Sequence, residues 1–394
     1  MDDVDRLVEI HTQTFPDPRG YEERRRNFIN KKPCFVFDDL CVVEAQGSIV
    51  AHAFASMSEL FVGGRPVPTG LVASVGVAPE VRGQGVATFL IDAVHAHFYE
   101  RGAVAALLYP FRYRFYERFA YGATSPYVQL HLTPRALLVQ PPKVAGVRPL
   151  QRADFDAIAT VDVARAHQAT GFLRRDGAWW EQQALTERSV CLVHEHDGML
   201  DGYVVWQLSQ REAHAETTLV VRDFAALNEL ARHALWGAIA LQRDQVTTIE
   251  WNVSLSDPVL TAALDLDESR FGTLALEHPM GTLAAGPSVK LMDTRAALSS
   301  RGYEGDGVMV VGIETPQGME RWCVTVRDRR ASVTPTSETA MLTGSRMAMA
   351  RLFLGGVPVR SLWQAGGLRV ASEEVVRQVQ TILGDSPFFS PDPF

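Results

Sequence analysis

The stretch Val75-Gly76-Val77-Ala78-Pro79-Glu80-Val81-Arg82-Gly83-Gln84-Gly85-Val86-Ala87 decides how this chain reads. An apolar strand, LVASVGVAP (71–79), stops at Pro79, and a Gly-rich turn opens directly into a helical pattern. Val86, Phe89, Leu90, Ala93, Val94 and Phe98 share one helical face, and Gly102 supplies the cap. The first amides of a helix have no partner within it. Together with the macrodipole they form a seat for a phosphate or pyrophosphate. Gly83 and Gly85 let the backbone take positive φ and approach such an anion, and Arg82 adds a charge-assisted contact. A plain helix-start turn would account for two glycines but not for the whole pattern. A dinucleotide fingerprint needs G-x-G-x-x-G after an initial parallel βαβ unit, and here that spacing is absent and hairpins come first. The phosphate loop G-x-x-x-x-G-K-[ST] is absent too.

Upstream, residues 3–15 place Val4, Leu7, Val8, Ile10 and Phe15 at helical spacing. Cys34 to Glu44 and Ser48 to Phe54 flank a turn at Gln46-Gly47, and LFVGGRPVPTG reads as a second hairpin turning at Gly63-Gly64. Downstream come an apolar strand, AVAALLYP, a short aromatic helix, FRYRFYERF, and a strand, YVQLHLTP. PPKVAG (141–146) reads as a linker. After it the order helix, hairpin, strand, long helix, strand recurs, which reads as an internal duplication. From about residue 288 a strand and helix, three strands in tight succession, a helical stretch SETAMLTGSRMAMARLFLGG and a last helix make a smaller third domain. The expected fold class is α+β (mixed α/β), with domains over 1–136, 137–287 and 288–394.

Composition agrees. The 394 residues amount to two or three domains, and 46% hydrophobic with 21% charged residues is ordinary for a globular protein. A net charge of −8 argues against nucleic acid as a partner, which favours a basic face. Cys34, Cys41, Cys191 and Cys323 are too scattered for a disulfide framework or a zinc site and read as buried, reduced thiols. No metal is expected. The acidic, amphipathic MDDVDRLVEIHTQTF is no signal peptide, and no apolar run approaches the length of a membrane span. The expectation is a cytoplasmic, soluble protein with no membrane partner. His95, His97, His167, His194, His196, His214 and His233 form no triad-like grouping.

Arg82-Gly83-Gln84-Gly85-Val86-Ala87 resembles the pyrophosphate loop, R/Q-x-x-G-x-G/A, of the GNAT superfamily of acyl-CoA-dependent N-acetyltransferases. That resemblance implies acetyl-CoA as co-substrate, with the Val75–Val77 strand pairing its backbone to the pantetheine arm. The Val77 amide would polarise the thioester carbonyl. Phe115-Tyr116-Glu117-Arg118-Phe119-Ala120-Tyr121-Gly122 is similar to the family's F-Y-x-x-x-G-[FY] segment, with Ala120 where Gly is usual. There a tyrosine protonates the leaving thiolate, and Tyr116 holds that position.

Two GNAT-like units, a sterol-carrier-protein-like domain and a C-terminal Phe together resemble the Eis (enhanced intracellular survival) family. In that family the terminal Phe carboxylate is the general base, here Phe394, in a tail stiffened by Pro387, Pro391 and Pro393. The amine cleft lies near the end of the first helix, where Phe15 and Asp17 stand. Pro16-Asp17-Pro18 also reads simply as a turn. The family's first strand precedes its first helix, whereas here the helical pattern starts within the first few residues. The second unit has Arg222-Asp223-Phe224 and no glycine before its helix, so no CoA is expected there. The third domain's apolar positions read as core rather than as a lipid cavity. The implied activity is acetyl transfer to a primary amine of an aminoglycoside, polyamine or lysine-like molecule, by a homo-oligomer that the family makes a hexamer. A non-catalytic ligand-binding scaffold and a biosynthetic acetyltransferase for a specialised metabolite are the alternatives.

Overall fold

A computed structural model describes residues 3–16, 18–29, 35–137, 144–175, 177, 179–180, 189–210, 216–262 and 279–392. The chain divides into two compact units, one of residues up to Thr124 with Pro287–Asp385, the other of Ser125–Gly286 with Ser386–Asp392.

The first unit opens with α1 (Asp3–Thr14) and α2 (Tyr21–Ile29). Then follow β1 (Leu40–Ala45), β2 (Ser48–Val62), β3 (Arg65–Val77), α3 (Val86–Glu100), β4 (Ala105–Leu108), α4 (Tyr113–Glu117) and β5 (Gly122–Ala123). The turns fall at Gln46-Gly47 and Gly63-Gly64, as their turn chemistry requires. β2 is one continuous strand, not the two separate arms the sequence suggested: it is buried from Ile49 to Ala55 and again from Leu60 to Val62, with half-buried residues between. Leu90, Ile91, Val94 and Phe98 of α3 pack on Ala51, Ala53 and Ala55 of β2 and Val72 of β3. Phe89, read from its spacing as part of that face, is 65% exposed, and His95 takes a buried place instead.

The strand order in the first sheet is β1-β2-β3-β4-β13-β5, where β13 is Ser288–Leu291. The sequence put that strand at the head of the third domain, but it pairs antiparallel with β4 and with β5. The rest of the third domain folds within the same unit. It comprises α8 (Thr294–Ser300), β14 (Gly307–Thr315), β15 (Gly318–Arg327), β16 (Arg330–Pro335), β17 (Leu342–Ser345), α9 (Arg346–Phe353), α10 (Val359–Gln364), β18 (Leu368–Val370) and α11 (Glu373–Leu383). Its sheet runs β16-β15-β14-β17-β18. β17 corrects the expectation of an all-helical stretch: Leu342–Ser345 pair in parallel with Val311–Glu314, and the Ser345 hydroxyl then caps α9 through the Ala348 amide at 3.2 Å.

The second unit holds β6 (Tyr127–Leu132), β7 (Val147–Pro149), α5 (Phe155–Ala166), β8 (Ser189–His196), β9 (Met199–Ser209), β10 (Thr218–Ala226), α6 (Glu229–Ala240), β11 (Thr248–Val253), α7 (Val259–Ala262) and β12 (Gly281–Ala284). Its sheet order is β12-β6-β11-β10-β9-β8-β7. β10 pairs antiparallel with β9 and parallel with β11, just as β3 pairs with β2 and β4. The repeat seen in sequence is therefore one βαβ crossover built twice. The linker residues 141–143 lie outside the described residues. Cys191 is buried, with its thiol pushed up to about 12 by burial, whereas Cys41 and Cys323 are only half-buried; Cys34 lies outside the described residues.

No helix among the described residues is long and apolar enough to cross a membrane.

Candidate active site

The site begins with a defect in a strand pair. β2 and β3 keep register except where Ala53 alone faces Ser74 and Val75, and Ser74 takes φ 51°. Such a bulge increases the local twist and bends the strand away. Parallel pairing of β3 with β4 ends at Val72↔Leu108, and beyond it β3 diverges. The Ala78 amide donates back to Val50 of β2 at 2.9 Å. Strand alternation therefore turns the N–H and C=O of Val77 the other way, towards the opening.

The turn after β3 supplies the second element. Gly83 and Gly85 stand at φ 79° and 86°, and a Cβ at either would meet nothing within 4 Å. Conformation, not crowding, requires glycine there. Gly85 caps α3 without a side chain, and its carbonyl accepts from the Thr88 and Phe89 amides at 2.9 and 3.1 Å. The amides of Val86 and Ala87 are the ones a helix start leaves for an external acceptor.

These elements enclose a cavity of about 720 Å³ lined by Val75, Val77, Arg82, Gly83, Gly85, Val86 and Ala87. Gln13, Thr14 and Phe15, at the end of α1, form another wall, with Phe15 packed against His11 at 4.9 Å. Phe111, Phe115 and Arg118 form a third. The sequence reading had Phe15 but neither Gln13 nor Arg118. The Arg82 guanidinium bonds the Val77 carbonyl at 3.0 Å and the Gln13 carbonyl at 3.4 Å, so it braces strand, turn and helix against one another. Arg118 lies 4.3 Å over the Phe115 ring and reaches Thr88 Oγ1 at 3.3 Å, a cation beside the first turn of α3. Gln84 folds back to the Glu80 carbonyl at 3.3 Å and does not line the cavity.

Tyr116 also stands outside the lining. It is 3% exposed and packs edge-on behind Phe115 (4.9 Å) and Phe111 (5.8 Å). Burial pushes its hydroxyl up to about 12. Ala120 takes φ 65°, in the turn that brings the Tyr121 amide to the Tyr116 carbonyl at 3.2 Å. That left-handed conformation explains on physical grounds why glycine suits this position. Deeper in, Lys290 of β13 meets His95 Nδ1 at 3.2 Å, and His95 Nε2 meets the Tyr121 hydroxyl at 3.0 Å. Burial, with Lys290 adding, pushes the imidazole down to about 3, so His95 is neutral. The Lys290 ammonium has donors only, which makes Nδ1 the acceptor and leaves the proton on Nε2 facing Tyr121. No histidine grouping was read from sequence, because its members lie 195 residues apart. Asp17 and Phe394 lie outside the described residues. Among the described residues no group of three or more His, Cys, Asp or Glu is arranged to hold a metal.

Residues 1–124 and 171–280 each match an acetyltransferase (GNAT) domain family, and residues 294–390 match a sterol carrier protein domain family. An uncharacterized N-acetyltransferase of Streptomyces avermitilis is 25% identical over 349 residues, covering 82% of this chain and 80% of its own. The N-acetyltransferase Eis of Mycobacterium tuberculosis is 25% identical over 326 residues, 79% of this chain and 77% of its own. Among solved structures, a GCN5-related N-acetyltransferase from Kribbella flavida superposes with a TM-score of 0.83 at 22% identity, covering 100% of this chain and 96% of its own. Eis1 from Mycobacterium abscessus gives 0.77 at 21% identity, covering 99% and 97%. Two GNAT domains in tandem with a sterol-carrier-protein-like domain, shared along most of these relatives' length, make the chain an acetyltransferase of the Eis family within the GNAT superfamily.

Proposed function

We propose that the first unit binds acetyl-CoA and transfers its acetyl group to a primary amine of a cationic small molecule, of aminoglycoside, polyamine or lysine-like type. The observation that carries this reading is that an opened strand edge and a side-chain-free helix start share one cavity. The residues fit the co-substrate. Val86 and Ala87 amides offer donors to the pyrophosphate and Arg118 a cation beside them, while the β3 edge at Val75 and Val77 matches the amides of a pantetheine arm. Acetyl-CoA supplies an activated thioester carbonyl. The Val77 N–H stabilises the negative charge that develops on that oxygen as the amine nitrogen attacks. The nitrogen–carbon bond forms, the carbon–sulfur bond breaks, and Tyr116 gives its proton to the departing thiolate. The amine's surplus proton passes to the Phe394 carboxylate. Phe15, with Asp17, orients the acceptor.

A second reading, a non-catalytic ligand-binding scaffold, draws on the place of Tyr116 behind Phe111 and Phe115. Release of CoA thiol with a panel of amines separates the two: turnover supports transfer, and acetyl-CoA binding without turnover on any amine supports the scaffold. Tyr116→Phe is expected to lower kcat by about 10²–10³, within the range for general acid catalysis, with acetyl-CoA affinity held. Because the hydroxyl titrates only near 12, its ionisation should take nothing from kcat below about pH 10.

A further inference from the structure

The second unit repeats the strand opening of the first but fills it differently. Parallel pairing of β10 with β11 ends at Val221↔Trp251, and β10 runs on past a bulge at Arg222 to Ala226. At the corresponding place stands a buried ion cluster. Arg165 donates to Asp162, to Asp223 at 2.6 Å and to the Phe224 carbonyl at 2.6 Å. Arg175 donates to Asp223, and the Tyr203 hydroxyl lies 3.0 Å from both Asp162 and Asp223. Two arginines and two aspartates balance.

A third carboxylate comes from far along the chain. Arg175 Nη2 and Nε reach Asp392 Oδ1 at 2.6 and 3.0 Å, and both side chains are 2% exposed. Phe388 and Phe389 of the same segment are seated beside it. Thr170 and Phe388 form a parallel bridge, and the Phe389 amide donates to the Thr170 carbonyl at 2.9 Å. Phe388 is buried, and the Phe389 ring stands edge-on to Phe172 and Tyr127, each at 6.2 Å. Gly171, at φ 113°, makes room: a Cβ there would lie 2.4 Å from the Phe389 carbonyl oxygen. Burial raises the Asp392 carboxyl, while the Arg175 guanidinium beside it pulls it down.

We infer that the second unit is a receptor for the chain's own tail, in which Thr170 and Gly171 seat Phe388 and Phe389 and the Arg175–Asp392 pair locks the segment. Arg175 and Asp392 are then positioning residues. Their effect on catalysis rests on the reading of Phe394 as base; the seat itself does not. The receptor's own charges balance without Asp392, so Asp392→Ala leaves Arg175 paired to Asp223 and the unit folded.

The test is chymotrypsin digestion of the full chain, following cleavage after Phe388 and Phe389 by mass spectrometry. The wild type should resist at both bonds. Asp392→Ala and Gly171→Ala should each raise that rate at least tenfold, with cleavage elsewhere unchanged. Equal rates in wild type and both variants overturn the proposal, as does rapid cleavage in the wild type. Turnover measured on the same samples addresses the other reading. A released tail with a fallen kcat and an unchanged KM for acetyl-CoA supports both, whereas a released tail with full turnover keeps the receptor and removes Phe394 as base.

Discussion

The two crossovers of this chain begin alike and finish in opposite conditions. Between β3 and α3 the backbone passes through Pro79, Gly83 and Gly85, and the helix starts with no side chain over its amides. Between β10 and α6 only Leu227 and Asn228 intervene, and Asn228 Oδ1 accepts from the Ala231 amide at 2.8 Å. The first helix start faces a cavity; the second is satisfied internally, and its strand opening holds Arg165 and Arg175. The same sheet topology thus supports an uncapped helix start facing a cavity or a closed core according to a handful of residues in one turn. Capacity to bind is a property of the turn, and the fold only aims it.

That contrast can be broken first at Gly85. Gly85→Val forces a β-branched residue into φ 86° and should weaken acetyl-CoA binding roughly 10–100-fold, the worth of one or two charge-assisted hydrogen bonds. Titration calorimetry reads it, and unchanged affinity would remove the helix start from the site. Asn228→Ala tests the other side. It should lower stability by about 1 kcal/mol in denaturant titration and leave acetyl-CoA affinity alone; a shift in affinity would mean that both helix starts take part. The smallest effect is expected at Ala120→Gly. Relief of the left-handed conformation, set against the added freedom of the unfolded chain, should leave a gain of a few tenths of a kcal/mol. A loss of stability there would show that the alanine methyl packs usefully.

The strand–turn–helix geometry of 75–87 was legible because its signal is local: a strand stop, positive-φ glycines and a helical period follow one another within thirteen residues. The duplication and the three family segments were legible for the same reason. What escaped was assembled at a distance. Arg118 sat inside a recognised segment, yet nothing in FYERF tells that its guanidinium turns to Thr88. Gln84, in the loop's centre, points away because its amide finds the Glu80 carbonyl. Lys290 and His95 meet only because β13 enters a sheet whose other strands lie before residue 124. A four-residue strand carries no mark of its partner. The Asp392 seat was equally silent, since its cluster draws on residues at 162, 165, 175 and 223.

β13 has a further consequence, for the order in which the protein can mature on the ribosome. Its residues fill the gap between β4 and β5, and Ser288 leaves the synthetic machinery about 180 residues after its partner Leu108. At about 5–20 residues per second that interval is on the order of 10 s or more. Throughout it, β4 presents an unpaired edge of the kind that invites wrong partners, while the second unit has all but its tail in hand. The first unit therefore matures after the second, and residues 1–124 cut out alone would lack a strand from the middle of their own sheet.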